Sequence, residues 1–132
     1  MPDEGIRKIS ELRLQKATEC LCDAKKLFEA HSYNGAANRA YYAIFHSMRA
    51  VLAYDGVDMK HHSGIIAEFR KLYVKTGVFD KEMSDTISEL YDLRTDSDYD
   101  DFYVMEADET EYIIQRADKF MVKIKDFLQN KR

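Results

Sequence analysis

Proline occurs once in this chain, at Pro2, and the following 130 residues contain none. Proline removes a backbone donor and clashes with the preceding helical turn, so its absence permits uninterrupted helices along the whole chain. Apolar residues recur at steps of three and four, and no stretch alternates with the period of two that a strand requires. The expected fold is therefore all-α. Five helical segments can be drawn, running from about Ile9 to Ala30, Tyr33 to Tyr54, Ser63 to Lys75, Asp80 to Arg94 and Asp108 to Asn130. In the first, Leu14, Ala17, Leu21, Ala24 and Phe28 share one face. In the second, Ala37, Ala40, Tyr41, Ile44, Met48 and Val51 do so. Ile66, Phe69 and Tyr73 mark the buried edge of the third, and Met83, Ile87 and Leu90 that of the fourth. Ile113, Ala117, Phe120, Ile124 and Phe127 form the stripe of the fifth. Ser63 and Asp80 suit helix caps, and Gly56 and Gly77 suit helix stops. Short connections favour antiparallel neighbours, so an up-and-down bundle of four to five helices is expected, as one domain over residues 1–132.

The segment from Thr95 to Val104 breaks this rhythm and is read as a non-helical connection. Residues 96–111 hold eight acids and no Lys or Arg, while the chain as a whole carries −4, leaving the remainder at +4. The net charge argues against broad, non-specific nucleic-acid binding, yet a local basic surface is compatible with that remainder. No run approaches the roughly 20 apolar residues of a membrane helix, and residues 1–11 lack the apolar core of a signal segment. Cys20 and Cys22, two apart on a helix, point in different directions and are read as free thiols. A cytoplasmic protein is expected.

Two groups of side chains suit chemistry. Asn38, Arg39, Tyr42, His46 and Arg49 lie on the second helix. Seven residues make nearly two turns, so Arg39 and His46 point the same way with Tyr42 between them. A cation beside an imidazole suits phosphate binding and proton transfer. A solvated or interface face of a bundle helix would read the same way. The second group is the run from Asp92 to Phe102, where Arg94 suits a phosphate and Tyr99 suits stacking. A local network, with Arg94 paired to Asp98 and Tyr99 plugging the core, is the alternative. No Glu-x-x-His pair, EF-hand loop, phosphate-binding loop or nucleophile elbow is present, and no metal or cofactor is expected.

The string Asn38-Arg39-Ala40-Tyr41-Tyr42-Ala43-Ile44-Phe45-His46 resembles the second-helix signature of a stand-alone prokaryotic branch of the HEPN family. His62-Ser63-Gly64 and Leu93-Arg94 followed by Asp98-Tyr99-Asp100-Asp101 extend the likeness to about residues 8–128. The resemblance implies a helical bundle that forms a homodimer and works beside a minimal nucleotidyltransferase in a toxin–antitoxin-like pair. It further implies that active members are metal-independent ribonucleases with an arginine, four to six residues, then a histidine, at the dimer cleft. Arg39 and His46 fit that spacing. The position expected from the family's bundle is Arg94, where Tyr99 stands in place of the histidine. With an ordinary pKa near 10, tyrosine is a poor base at neutral pH. The leading expectation is thus a nucleotide- or RNA-binding module built on Asn38, Arg39, Tyr42, Arg94, Asp98 and Tyr99. The rival is an endoribonuclease using Arg39 with His46, or Arg94 with an unidentified base. Tyr99 and Tyr103 are also candidates for nucleotide transfer by the partner.

Overall fold

The computed structural model describes residues 3–59 and 61–131. These described residues form five α-helices: α1 (Glu4–Glu29), α2 (Tyr33–Leu52), α3 (His62–Phe69), α4 (Lys81–Tyr99) and α5 (Ala107–Lys131). A short 3₁₀ turn, Ala53–Asp55, follows α2, and a π-helical turn, Arg70–Val74, continues α3. No strand occurs among the described residues. The bundle is all-α, as the sequence leads one to expect.

The helix α2 is the central element. It packs against α1, α3, α4 and α5, and 13 of its 20 residues are buried. A helix apolar on most sides has to be enclosed by neighbours. Ala36, Ala37, Ala40, Ala43 and Ala50 on α2, with Ala17 and Ala24 on α1, are essentially inaccessible to solvent. Their small side chains let the helix axes approach closely. Ser10 on α1 ties the two helices further by donating to the carbonyl of Ala50. At the other side of the core, Phe69, Tyr73, Phe79, Phe120 and Phe127 form a continuous aromatic cluster.

Several boundaries differ from those read in the sequence. Asp3 accepts from the Gly5 amide and starts α1 five residues before Ile9. Asp80 caps α4 as expected, accepting from the Met83 amide. Gly56 and Gly77 stop their helical turns with φ of 70° and 81°, where glycine has no Cβ to clash. Ser63 is not a cap: the helix begins at His62, and the capping position is His61, which supplies no side-chain bond. The largest difference concerns α4. It does not end near Arg94 but runs on to Tyr99, because Arg94 and Asp98 pair one turn apart and Arg94 and Ser97 are buried against the bundle. Tertiary packing overrides the weak helix propensity of the aspartates.

Candidate functional site

The extension of α4 decides where the site lies. It brings Tyr91, Arg94 and Asp98 alongside Asn38, Tyr41 and Tyr42 of α2, with His62 at the start of α3 closing the third side.

Arg94 is the hub. Only 8% exposed, its guanidinium carbon sits 4.7 Å from the Tyr41 ring centre, 5.5 Å from that of Tyr91 and 5.7 Å from that of Tyr42. Aromatic faces attract a cation at such distances. Burial works against the charge, but Tyr42, Tyr41 and Asp98 outweigh it and hold the Arg94 pKa above the usual arginine value. A terminal nitrogen of Arg94 lies 3.7 Å from Asp98. Its Nε, together with Ser97 Oγ one turn on, is buried without a partner among the described residues. Burial, partly offset by Arg94, pushes the Tyr41 phenol up to about 12, so it stays protonated.

Asn38 organises the other cation. Its Nδ2 donates to Asp98 at 2.9 Å, and its Oδ1 accepts from Nε and a terminal nitrogen of Arg39 at 3.1 and 2.7 Å. Arg39 is thereby laid against Tyr42, 5.0 Å from the ring centre. The Tyr42 ring thus has a guanidinium from Arg39 on one helix and from Arg94 on another. Two fixed cations against the single carboxylate of Asp98 leave a positive surplus suited to phosphate.

His62 is the residue that the sequence reading passed over. Its ring stacks on Phe45 with 4.0 Å between centres, and its Nδ1 is 2.8 Å from the Tyr41 hydroxyl. Burial and the nearby Arg94 charge lower its pKa, so the imidazole is neutral at pH 7. The string His62-Ser63-Gly64 contained the signal, but only the packing of α3 beside α2 gives it a partner.

Of the residues expected in the site, Asn38, Arg39, Tyr42, Arg94 and Asp98 come together. His46 lies next to Tyr42, 6.0 Å between ring centres. It is 8% exposed, with Nδ1 unpartnered among the described residues, and burial, with the charges of Lys16, Arg49 and Arg39, pulls its pKa down to about 4. Tyr99 takes no part in the cluster. Five residues beyond Arg94 it falls on another side of α4, and at 74% exposed it plugs no core. Tyr103 is half-buried and donates to Glu109.

Beside the cluster, a groove of about 360 Å³ runs between α3 and α4, with Ile66, Ile87 and Tyr91 as its apolar walls and Ser88 and Asp92 at its polar side. Its size is within the range of small-molecule sites. Among the described residues, no three His, Cys, Asp or Glu side chains converge as metal ligands. No helix among the described residues is long and apolar enough to cross a membrane. Both cysteines are free, Cys20 buried and Cys22 exposed.

Comparison with known proteins agrees with this architecture. A "UPF0332 protein" of Thermotoga maritima is 32% identical over 123 residues, which cover 93% of each chain. "Putative toxin MJ0605" of Methanocaldococcus jannaschii is 36% identical over 127 residues, covering 96% of this chain and 94% of its own. Among solved structures, ST0689, described as an archaeal HEPN homologue, superposes with a TM-score of 0.71 at 16% identity, covering 90% of this chain and 97% of that one. TT1696 from Thermus thermophilus gives 0.76 at 15% identity, covering 89% and 96%. Residues 10–127 match the HEPN domain family, and the chain is a member of it.

Proposed function

We propose that this chain is the nucleotide- or RNA-binding component of a toxin–antitoxin-like pair, acting as a homodimer beside a minimal nucleotidyltransferase. The observation that carries the reading is the pair of guanidiniums, Arg39 and Arg94, fixed against one tyrosine ring. Positioned arginines recognise phosphate, and an adjoining aromatic wall suits a base. The orphaned Nε of Arg94 is a buried donor awaiting an acceptor. Relatives named as toxins support the two-component setting. Titration calorimetry with AMP and with a short RNA tests the reading. Binding that is lost in Arg94→Ala and Arg39→Ala is expected, and no binding of either ligand by the native dimer sinks it. Sedimentation tests the dimer, and co-purification with a co-expressed nucleotidyltransferase tests the partner. Intact-mass analysis of the co-expressed pair also tests whether the exposed Tyr99 receives a nucleotide.

A second reading, a metal-independent ribonuclease, draws on one specific contact. The Tyr41 hydroxyl, under Arg94, touches Nδ1 of His62. A neutral imidazole beside a cation that stabilises phosphate charge has the parts for acid–base cleavage. This supplies Arg94 with a base from another helix, in place of Tyr99. Cleavage in chelator that disappears in His62→Ala and Arg94→Ala but survives His46→Ala would establish it. Intact cleavage in His62→Ala would remove His62 from the mechanism.

A further inference from the structure

About 15 Å along α2 from Arg39, ten residues at 1.5 Å of rise each, a second pair of arginines converges. Arg13 of α1 donates to the carbonyl of Arg49 at 3.0 Å. Both guanidiniums reach the same oxygen of Asp58, Arg13 at 3.0 Å and Arg49 at 3.7 Å. The arginine side chains are mostly covered, 15% and 25% exposed, whereas the Asp58 side chain is 79% exposed. Two sheltered cations therefore share one solvated carboxylate on a connecting segment. One carboxylate against two guanidiniums leaves a positive charge in excess, and burial, with the Arg49 charge, holds the Arg13 pKa below the usual arginine value despite Asp58. Lys16, one turn along α1, adds a positive charge felt at His46, between the two arginine pairs. Arg39, Tyr42, His46 and Arg49 fall within about 80° of arc at 100° per residue, so the two arginines lie on one face of α2, with the buried His46 between them.

We propose that Arg13 and Arg49 form a second phosphate subsite, held in the free protein by the Asp58 carboxylate, and that the ligand is a single strand of RNA rather than a mononucleotide. The inference rests on the anion site at Arg39 and Arg94. It adds what that site alone does not determine, the length of the ligand. At the roughly 3.4 Å per phosphate of one stacked strand, the ~15 Å of α2 between Arg39 and Arg49 corresponds to about four nucleotides. A phosphodiester arriving at the second pair displaces an exposed carboxylate whose ion pairs are worth little. It then offers its own charge to two donors already in place.

The test is fluorescence anisotropy on the native full chain with a labelled riboadenylate dinucleotide and octanucleotide over a range of salt. The octanucleotide is expected to bind at least about tenfold tighter. Arg49→Gln should lower octanucleotide affinity about tenfold and reduce the salt slope by about one, leaving the dinucleotide unchanged. Asp58→Asn should raise octanucleotide affinity several-fold. Because Asp58 is exposed, that variant tests the subsite even if loss of an arginine perturbs folding. Equal affinity for the two lengths, or an octanucleotide affinity unmoved by both Arg49→Gln and Asp58→Asn, overturns the proposal. If the dinucleotide still binds in an Arg94-dependent manner, the first site stands and only the second falls. If neither oligonucleotide binds, the second subsite falls, and the first falls with it unless AMP still binds in an Arg94-dependent manner.

Discussion

Asn38 donates from Nδ2 to Asp98 at 2.9 Å, joining residues 60 positions apart and pinning the last turn of α4 to α2. The same amide holds Arg39 through its oxygen, so one side chain sets the distance between the two halves of the site. Replacing Asn38 by Ala should cost about 1 kcal/mol in urea denaturation, the worth of the lost hydrogen bonding. It should also weaken ligand binding as much as Arg39→Ala does. Asn38→Asp should be worse than Asn38→Ala, since a carboxylate would then face Asp98.

Arg94 carries a charge that is covered by three rings and one carboxylate. Arg94→Ala should destabilise the fold by about 1–3 kcal/mol, the cost of emptying a packed site and stranding its partners. Arg94→Lys keeps the charge but loses the planar fork. Thermal denaturation should find it closer to the native protein than Arg94→Ala, while nucleotide titration should find it nearly as defective.

Acid should weaken the fold through its histidines. His46 has a folded pKa of about 4 against an ordinary 6.5, so the unfolded chain takes up the proton first as pH falls. The contribution of the neutral imidazole is complete above pH 6.5 and is lost progressively toward pH 4, at no more than ~1.4 kcal/mol per pH unit. His62, lowered by burial and by Arg94, acts in the same direction. Denaturant midpoints measured between pH 7 and 5, above the carboxylate range, should fall in the native protein and flatten in His46→Gln.

Phe102 is 95% exposed, and Val104 beside it is 75% exposed. Phe102→Ser should leave the chemical stability of the isolated chain within about 0.5 kcal/mol, as for a surface position without partners. A larger loss in denaturation would mean that the ring is covered in the assembled protein.

The bundle was legible because its signal is local. Ala17, Leu21 and Ala24 on α1, and Ile113, Ala117, Phe120 and Ile124 on α5, are buried as their spacing predicts. The end of α4 was not legible, because Thr95 to Tyr99 is a poor helix on propensity. Burial of Ser97, the Arg94–Asp98 pair and the Asn38–Asp98 hydrogen bond make it one. The site was half legible for the same reason. Asn38, Arg39 and Tyr42 share a helix and can be found by counting residues. His62 meets Tyr41 across a loop, a relation that spacing does not encode. Tyr99 shows the converse: five residues after Arg94 in the motif, it lies on another side of the helix.

The hydrogen bond between Tyr41 and His62 links two choices that are usually independent. A phenol can donate or accept, and a neutral imidazole carries its proton on one nitrogen or the other. When Tyr41 donates to Nδ1, the ring proton resides on Nε2 and the far side of His62 offers a donor. When the hydroxyl turns and accepts, the proton moves to Nδ1 and the far side offers a lone pair. Rotation about a single C–O bond is thus coupled to the tautomer of His62. The same histidine can meet a ligand as a giver or a taker of a hydrogen bond without any movement of the helices that hold it.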